Sequence, residues 1–144
     1  MKFRVFSLAV FSIFSSSLMS ERVIDLVDEK IVNDLLLNKT WTCYSKSDNQ
    51  TSTMRLKINV IEGSRVQGRL DIPQYEICNS EDLKGILIGN SLTYYAPASI
   101  ESCNIMNGVM VFHQNENGEI EASGHYTFGE LAEPDEYTCE LNNS

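Results

Sequence analysis

From residue 54 the chain alternates apolar and polar side chains in steps of two. Met54, Leu56, Ile58 and Val60 are separated by Arg55, Lys57 and Asn59, and Val66, Gly68, Leu70 and Ile72 by Gln67, Arg69 and Asp71. Successive side chains of a strand point to opposite faces, so this spacing describes two half-buried strands and does not suit a helix of period 3.6. Glu62-Gly63-Ser64 joins the two. Register must set apolar against apolar, which places Val60 opposite Val66 and Leu56 opposite Leu70. Pro73, which has no N–H for a ladder, ends the second strand.

The pattern continues towards the C-terminus. A short strand is expected around 75–78, then a polar loop over 79–84. Ile86-Leu87-Ile88 and a strand over 91–95 flank Gly89-Asn90, a two-residue hairpin turn with glycine first. Strands over 109–114 and 119–126 flank Glu116-Asn117-Gly118. A three-residue loop with Gly118 left-handed pairs Phe112 with Ala122 and Met110 with Gly124. The last strand covers 136–141. About seven to nine short strands with turn signals between them predict a mainly β fold, a small antiparallel β-barrel or sandwich. One amphipathic helix precedes it over 21–37. Val23, Ile24, Val27, Ile31 and Leu35 fall at helical spacing, and Leu26, Val32 and Leu36 widen the stripe. Ser20 or Asp25 caps its start and Asn38 suits its end.

The first twenty residues read differently. Met1-Lys2-Phe3-Arg4 is a short basic start, residues 5–14 are apolar except for Ser7 and Ser12, and Ser15-Ser16-Ser17 and Ser20 offer small residues for cleavage. This is the layout of a secretory signal peptide, too short to span a bilayer. The expected organisation is a signal over 1–20, the helix over 21–38 and a disulfide-linked β domain over 39–144, exported to a periplasm or the extracellular space. The formal net charge is −9. Removing the signal takes Lys2 and Arg4 and no acid, so the mature chain carries −11. Such an acidic chain excludes a general nucleic-acid binder and adsorption to anionic membranes. At 42% hydrophobic residues it has enough apolar surface to build a core.

Cys43, Cys78, Cys103 and Cys139 are an even set in an exported chain, hence two disulfides. Their spacing contains no CxxC, which argues against a zinc site or a redox pair. Of the three possible connectivities the expected one is Cys43–Cys139 with Cys78–Cys103. Trp41-Thr42-Cys43 and Tyr137-Thr138-Cys139 read as the first and last strands, which become neighbours when a sheet closes.

Chemistry has few candidates. His113 faces Glu121 and His125 faces Val109 in the register above, so the imidazoles stand about 13 Å apart, too far to share a metal. No GxSxG, HExxH, P-loop or GxGxxG occurs, and disulfides claim every thiol. Glu130, Glu133, Asp135 and Glu136 offer carboxylates for calcium but match no EF-hand and read as a solvated loop. No catalytic residue, metal or cofactor is expected. The unusual local feature is basic. Arg55, Lys57, Arg65 and Arg69 are four of the nine Lys and Arg residues of the mature chain and share the outward face of one hairpin. Lys57 lies opposite Arg69, a repulsive pair that Arg55 opposite Asp71 offsets only in part. This face can receive an acidic loop of a partner or an anionic ligand. The competing reading covers it with the acidic helix face (Asp25, Asp28, Glu29) or the acidic loop. Tyr94, Phe112, Tyr126 and Phe128 belong in a core, or line an apolar ligand cavity if the barrel is hollow.

Together these features describe an exported, non-enzymatic binding module that recognises another protein, as an inhibitor or immunity-type factor does. The alternative is a lipocalin-like carrier of a lipid or small apolar ligand. Ser123-Gly124-His125-Tyr126 is one residue short of the Ser-Gly-x-x-Tyr segment of the small periplasmic lysozyme-inhibitor barrels. Lys39 stands where a lipocalin Gly-x-Trp start has its glycine. Neither family is claimed.

Overall fold

The alternating segments become eight strands that follow one another round a closed wall. The computed structural model describes residues 22–24, 26–47, 50–97, 103, 106–128 and 133–142. The expected signal, 1–20, lies outside them, as does Asp25. A two-residue strand β1 (Arg22–Val23) and a helix α1 (Glu29–Leu36) precede β2 (Thr40–Ser47), β3 (Gln50–Glu62), β4 (Arg65–Asp71), β5 (Ser80–Ile88) and β6 (Ser91–Ala96). Then come β7 (Met106–Gln114), β8 (Ile120–Phe128) and β9 (Asp135–Leu141). Each strand from β2 to β9 pairs antiparallel with the next, and β9 returns to pair with β2. The result is an up-and-down barrel rather than a sandwich, and closure leaves no long free edge. β1 lies against β7 at Gln114 and His113, just past the point where β6 begins opposite Val111.

Three hairpins form as their turn residues demand. Gly63 and Gly89 each take φ +60 in a two-residue turn, and Gly118 takes φ +81 after Glu116-Asn117. The pairs Leu56↔Leu70, Phe112↔Ala122, Met110↔Gly124 and His113↔Glu121 stand as expected. Val60 does not face Val66. A bulge between Ile58 and Val60 shifts the ladder, so Ile61 pairs with Val66 and Val60 turns outward opposite Gln67. A second irregularity separates Gly68 and Leu70 where β4 meets β5. Ser80 and Leu83 point inward and the two acids between them both point out. The expected polar loop over 79–84 is therefore mostly the first half of β5. The expected strand at 75–78 is a single 3₁₀ turn, Glu76–Cys78.

The helix is shorter than its periodicity implied. Asp28, not Ser20 or Asp25, is the N-cap, accepting hydrogen bonds from the backbone N–H of Lys30 and Ile31. Residues 22–23 are drawn into the ladder on β7. The buried side chains of α1 are Val32, Leu35 and Leu36, while Ile31 and Val27 face out. Asn38 closes the helix with φ +59 and donates its N–H to the Ile58 carbonyl. The helix covers the barrel end where β2 begins, and the Trp41 indole N–H donates to the Leu35 carbonyl at 3.0 Å.

The interior is filled. Trp41 and Phe112 meet edge to face with centroids 5.2 Å apart, and Leu36, Leu56, Ile58, Leu70, Leu83, Leu92 and Met110 pack round them. Both disulfides have the expected partners. Cys43–Cys139 links directly opposed residues of β2 and β9, the pair that closes the barrel. Cys78–Cys103 ties the β4–β5 connection to the β6–β7 connection at the end opposite the helix. Two disulfides point to an oxidising, exported environment. Among the described residues no helix is long and apolar enough to cross a membrane.

Candidate functional site

A concavity of about 770 Å³ lies on the outside of the wall, over β4 to β8. Two register rows of outward side chains form its sides. One runs Arg65, Ile86, Thr93, Val109, His125, and the other Gln67, Lys84, Tyr95, Asn107, Thr127. Between them an inward row, Val66, Gly85, Tyr94, Gly108, Tyr126, supplies the floor as backbone. Two of these floor positions are glycines. A Cβ on Gly85 would lie 2.7 Å from Leu92 Cδ1 and 2.9 Å from Val66 Cγ2, and one on Gly108 would lie 2.3 Å from Tyr94 Cζ. Leu92, Val66 and Tyr94 pack against the backbone at these two positions, leaving no room for a larger inward residue.

Outward positions of a barrel facing water are ordinarily polar. Here Ile86 is 50% exposed, Tyr95 42% and Val109 39%, on three adjacent strands, with Ile88 beyond Ile86 at 68%. Thr93, the small side chain between Ile86 and Val109, keeps the centre low. The basic members of the groove are Arg65, Lys84 and His125, and among the described residues no Asp or Glu lines it. Lys84 pairs with Asp82 at 2.9 Å. Arg65, opposite Glu62 across the turn, makes no ion pair among the described residues. A smaller depression continues past His125 over Tyr44, Ser123, Glu136 and Thr138.

The structure divides the four expected partner-binding cations. Arg55 and Lys57 stand on β3 and Arg65 and Arg69 on β4, all outward, with Lys57 opposite Arg69 and Arg55 opposite Asp71. Arg69 is occupied. Its Nε and Nη2 both donate to the Asp71 carboxylate at 2.7–3.1 Å, Glu81 approaches Nη1 at 3.7 Å, and the hydrogen bonds to Asp71 push its guanidinium pKa up. The acids that neutralise it come from β4 and β5, not from the helix face or the acidic loop. Arg65 belongs to the groove.

The four aromatics do not share one cavity. Phe112 packs on Trp41 near the helix end. Tyr126 stands edge-on to Phe128 with centroids 5.2 Å apart and tilts over Tyr137 at 5.8 Å. Tyr126 and Phe128 border a cavity of about 40 Å³ at the mouth opposite the helix, with Ser45, Met54, Ile72 and Met106. Tyr94, 3% exposed, lies flat beneath Gly108. The Tyr126 hydroxyl donates to Ser45 Oγ at 3.0 Å and that of Tyr137 to the Val109 carbonyl at 2.9 Å. The Tyr94 hydroxyl faces that of Tyr137 without meeting it in hydrogen-bonding geometry.

His113 approaches Glu121 at 3.6 Å, and His125 stands opposite Val109, both as the register required. Of the acidic residues weighed for calcium, Glu130 lies outside the described residues and Glu136 stands opposite His125. Among the described residues no three His, Cys, Asp or Glu are grouped to hold a metal ion.

Sequence reasoning missed the groove, although a signal for it was present. Gly85-Ile86-Leu87-Ile88 and Val109-Met110-Val111-Phe112 are apolar on both faces of their strands, which marks a strand covered on both sides or an outer face with a use. No protein-family model, curated protein or solved structure matches this chain.

Proposed function

We propose that this protein is an exported, non-enzymatic binding module that recognises another protein through the outer groove over β4 to β8. The observation that carries the reading is the cluster of exposed Ile86, Tyr95 and Val109 on three adjacent strands, in a groove on the outside of a barrel whose inside is packed. Contiguous apolar surface exposed in a concavity is what a partner covers, and a rigid closed sheet holds such a surface without a cost in ordering. A partner-blocking role, as in an inhibitor or immunity factor, fits a small disulfide-linked barrel, though fold alone assigns no function. Export to a periplasm or the extracellular space through a cleaved signal over 1–20 fits the two disulfides. A lipocalin-like carrier has less behind it. The cavity bordered by Tyr126 and Phe128, about 40 Å³, is close to the room of one water.

Native mass spectrometry of the protein purified from its own host, as wild type and as the Ile86→Ser/Val109→Ser variant, tests this. A co-purifying protein mass that disappears with the variant is the expected result. A bound lipid mass retained in both forms supports the carrier instead, and an unliganded monomer in both argues against either.

A further inference from the structure

We infer that the segment this groove receives is acidic: an extended stretch of a partner protein that carries a large apolar side chain next to carboxylates. The inference rests on the groove being the protein-binding surface. The chain has 20 Asp and Glu residues against 11 Lys and Arg. Among the described residues that line the outer groove over β4 to β8 there are nevertheless Arg65, Lys84 and His125 and no Asp or Glu. Self-repulsion in an acidic protein gives no reason to clear acids from one hollow and to leave there an arginine that makes no ion pair among the described residues. Complementarity to an acidic partner does, because desolvated like charges would each oppose docking.

The register places the parts. Arg65 on β4 stands directly opposite Ile86, Lys84 lies two residues before Ile86 on β5, and His125 marks the far side on β8. Thr93 forms a low seat between Ile86 and Val109, with Tyr95 two residues along the same strand. An apolar side chain fits on that seat and its neighbouring carboxylate reaches Arg65. Four strand spacings from β4 to β8 span about 19 Å, which an extended segment of about six residues covers. A small anionic ligand suits the site less, since such ligands are mostly enclosed by their pockets and this groove lies open on the barrel surface.

A random nonapeptide library displayed on phage, panned on the purified protein, tests the inference. The enriched peptides should pair Asp or Glu with Leu, Ile, Phe, Tyr or Trp. A synthetic copy should bind about tenfold or more weaker to Arg65→Glu and to Tyr95→Ser, and more weakly as salt rises. Its Glu→Lys version should regain binding to Arg65→Glu. Both side chains are on the surface, and unchanged melting temperatures establish that the variants are folded. Enriched peptides that are basic or neutral, yet still need Tyr95, overturn the acidic inference and leave the groove as a protein-binding surface. Peptides indifferent to Tyr95, or no enrichment, overturn both. Wild-type dimers in sedimentation that dissociate with Tyr95→Ser make the occupant a second copy and also overturn it.

Discussion

Three tyrosines turn into the barrel, and their hydroxyls are not treated alike. Tyr126 and Tyr137 donate to Ser45 and to the Val109 carbonyl, while Tyr94 is buried with its hydroxyl unpaired. A buried polar group without a partner loses its hydration and gains nothing in return. Tyr94→Phe is therefore expected to stabilise the protein by about 1 kcal/mol, and Tyr137→Phe to cost about 1 kcal/mol, in urea unfolding. Burial raises the pKa of all three hydroxyls, and the proximity of the Tyr94 hydroxyl adds to the rise at Tyr137. Below pH ~10, the ordinary tyrosine value, folded and unfolded chains both keep these protons and stability is unaffected. Above it the unfolded chain ionises while the folded one does not, so stability falls as pH rises, by up to about 1.4 kcal/mol per pH unit for each tyrosine. The melting temperature should be flat towards pH 10 and decline beyond it, with a shallower slope in Tyr94→Phe. An equal slope in that variant would mean the tyrosines do not govern the alkaline limit.

At the scale of elements, what was readable in the sequence was what depends on neighbours along the chain. Alternation located β3 and β4, and Gly63, Gly89 and Gly118 located three turns and thereby several registers. What escaped was decided by contacts across the fold. The bulge before Val60 adds a residue to one side of a ladder that looks uninterrupted in sequence, and the paired outward acids of β5 break the alternation that would have revealed it. The helix could start at several capping residues. Residues 22–23 leave it because β7 has unpaired backbone past the end of β6, and Asp28 then becomes the cap. The groove was invisible for the same reason, since Arg65, Ile86, Thr93, Val109 and His125 come from five strands. Replacing Asp28 by Ala removes the acceptor for two helix N–H groups and should cost about 1 kcal/mol in the urea midpoint, with Asp28→Asn close to wild type. A loss as large in Asp28→Asn would assign the effect to charge rather than capping.

At the scale of the whole molecule strands β2 to β9 form one continuous meander, and within that meander only the β9–β2 pairing joins distant parts of the chain. That pairing turns a curved sheet with two open edges into a barrel, and the Cys43–Cys139 disulfide lies within it. The two disulfides therefore have different tasks. Cys43–Cys139 spans 96 residues and sits in the core, 1% exposed at both ends, whereas Cys78–Cys103 spans 25 and joins two connections at one mouth. In the chain-entropy account the stabilisation grows with the logarithm of the loop closed, so the longer bridge restricts the unfolded chain by about 1 kcal/mol more. Removing it also leaves the closing pair without its packed sulfurs. Cys43→Ala/Cys139→Ala is accordingly expected to lower unfolding free energy by at least about 1 kcal/mol more than Cys78→Ala/Cys103→Ala, measured by urea unfolding of each double variant. The reverse order would mean that holding the two mouth connections together matters more to this barrel than clipping its seam. In that case the groove, whose rows run unbroken from β4 to β8 and do not cross the seam, should keep its shape in the Cys43→Ala/Cys139→Ala protein and bind its peptides unchanged.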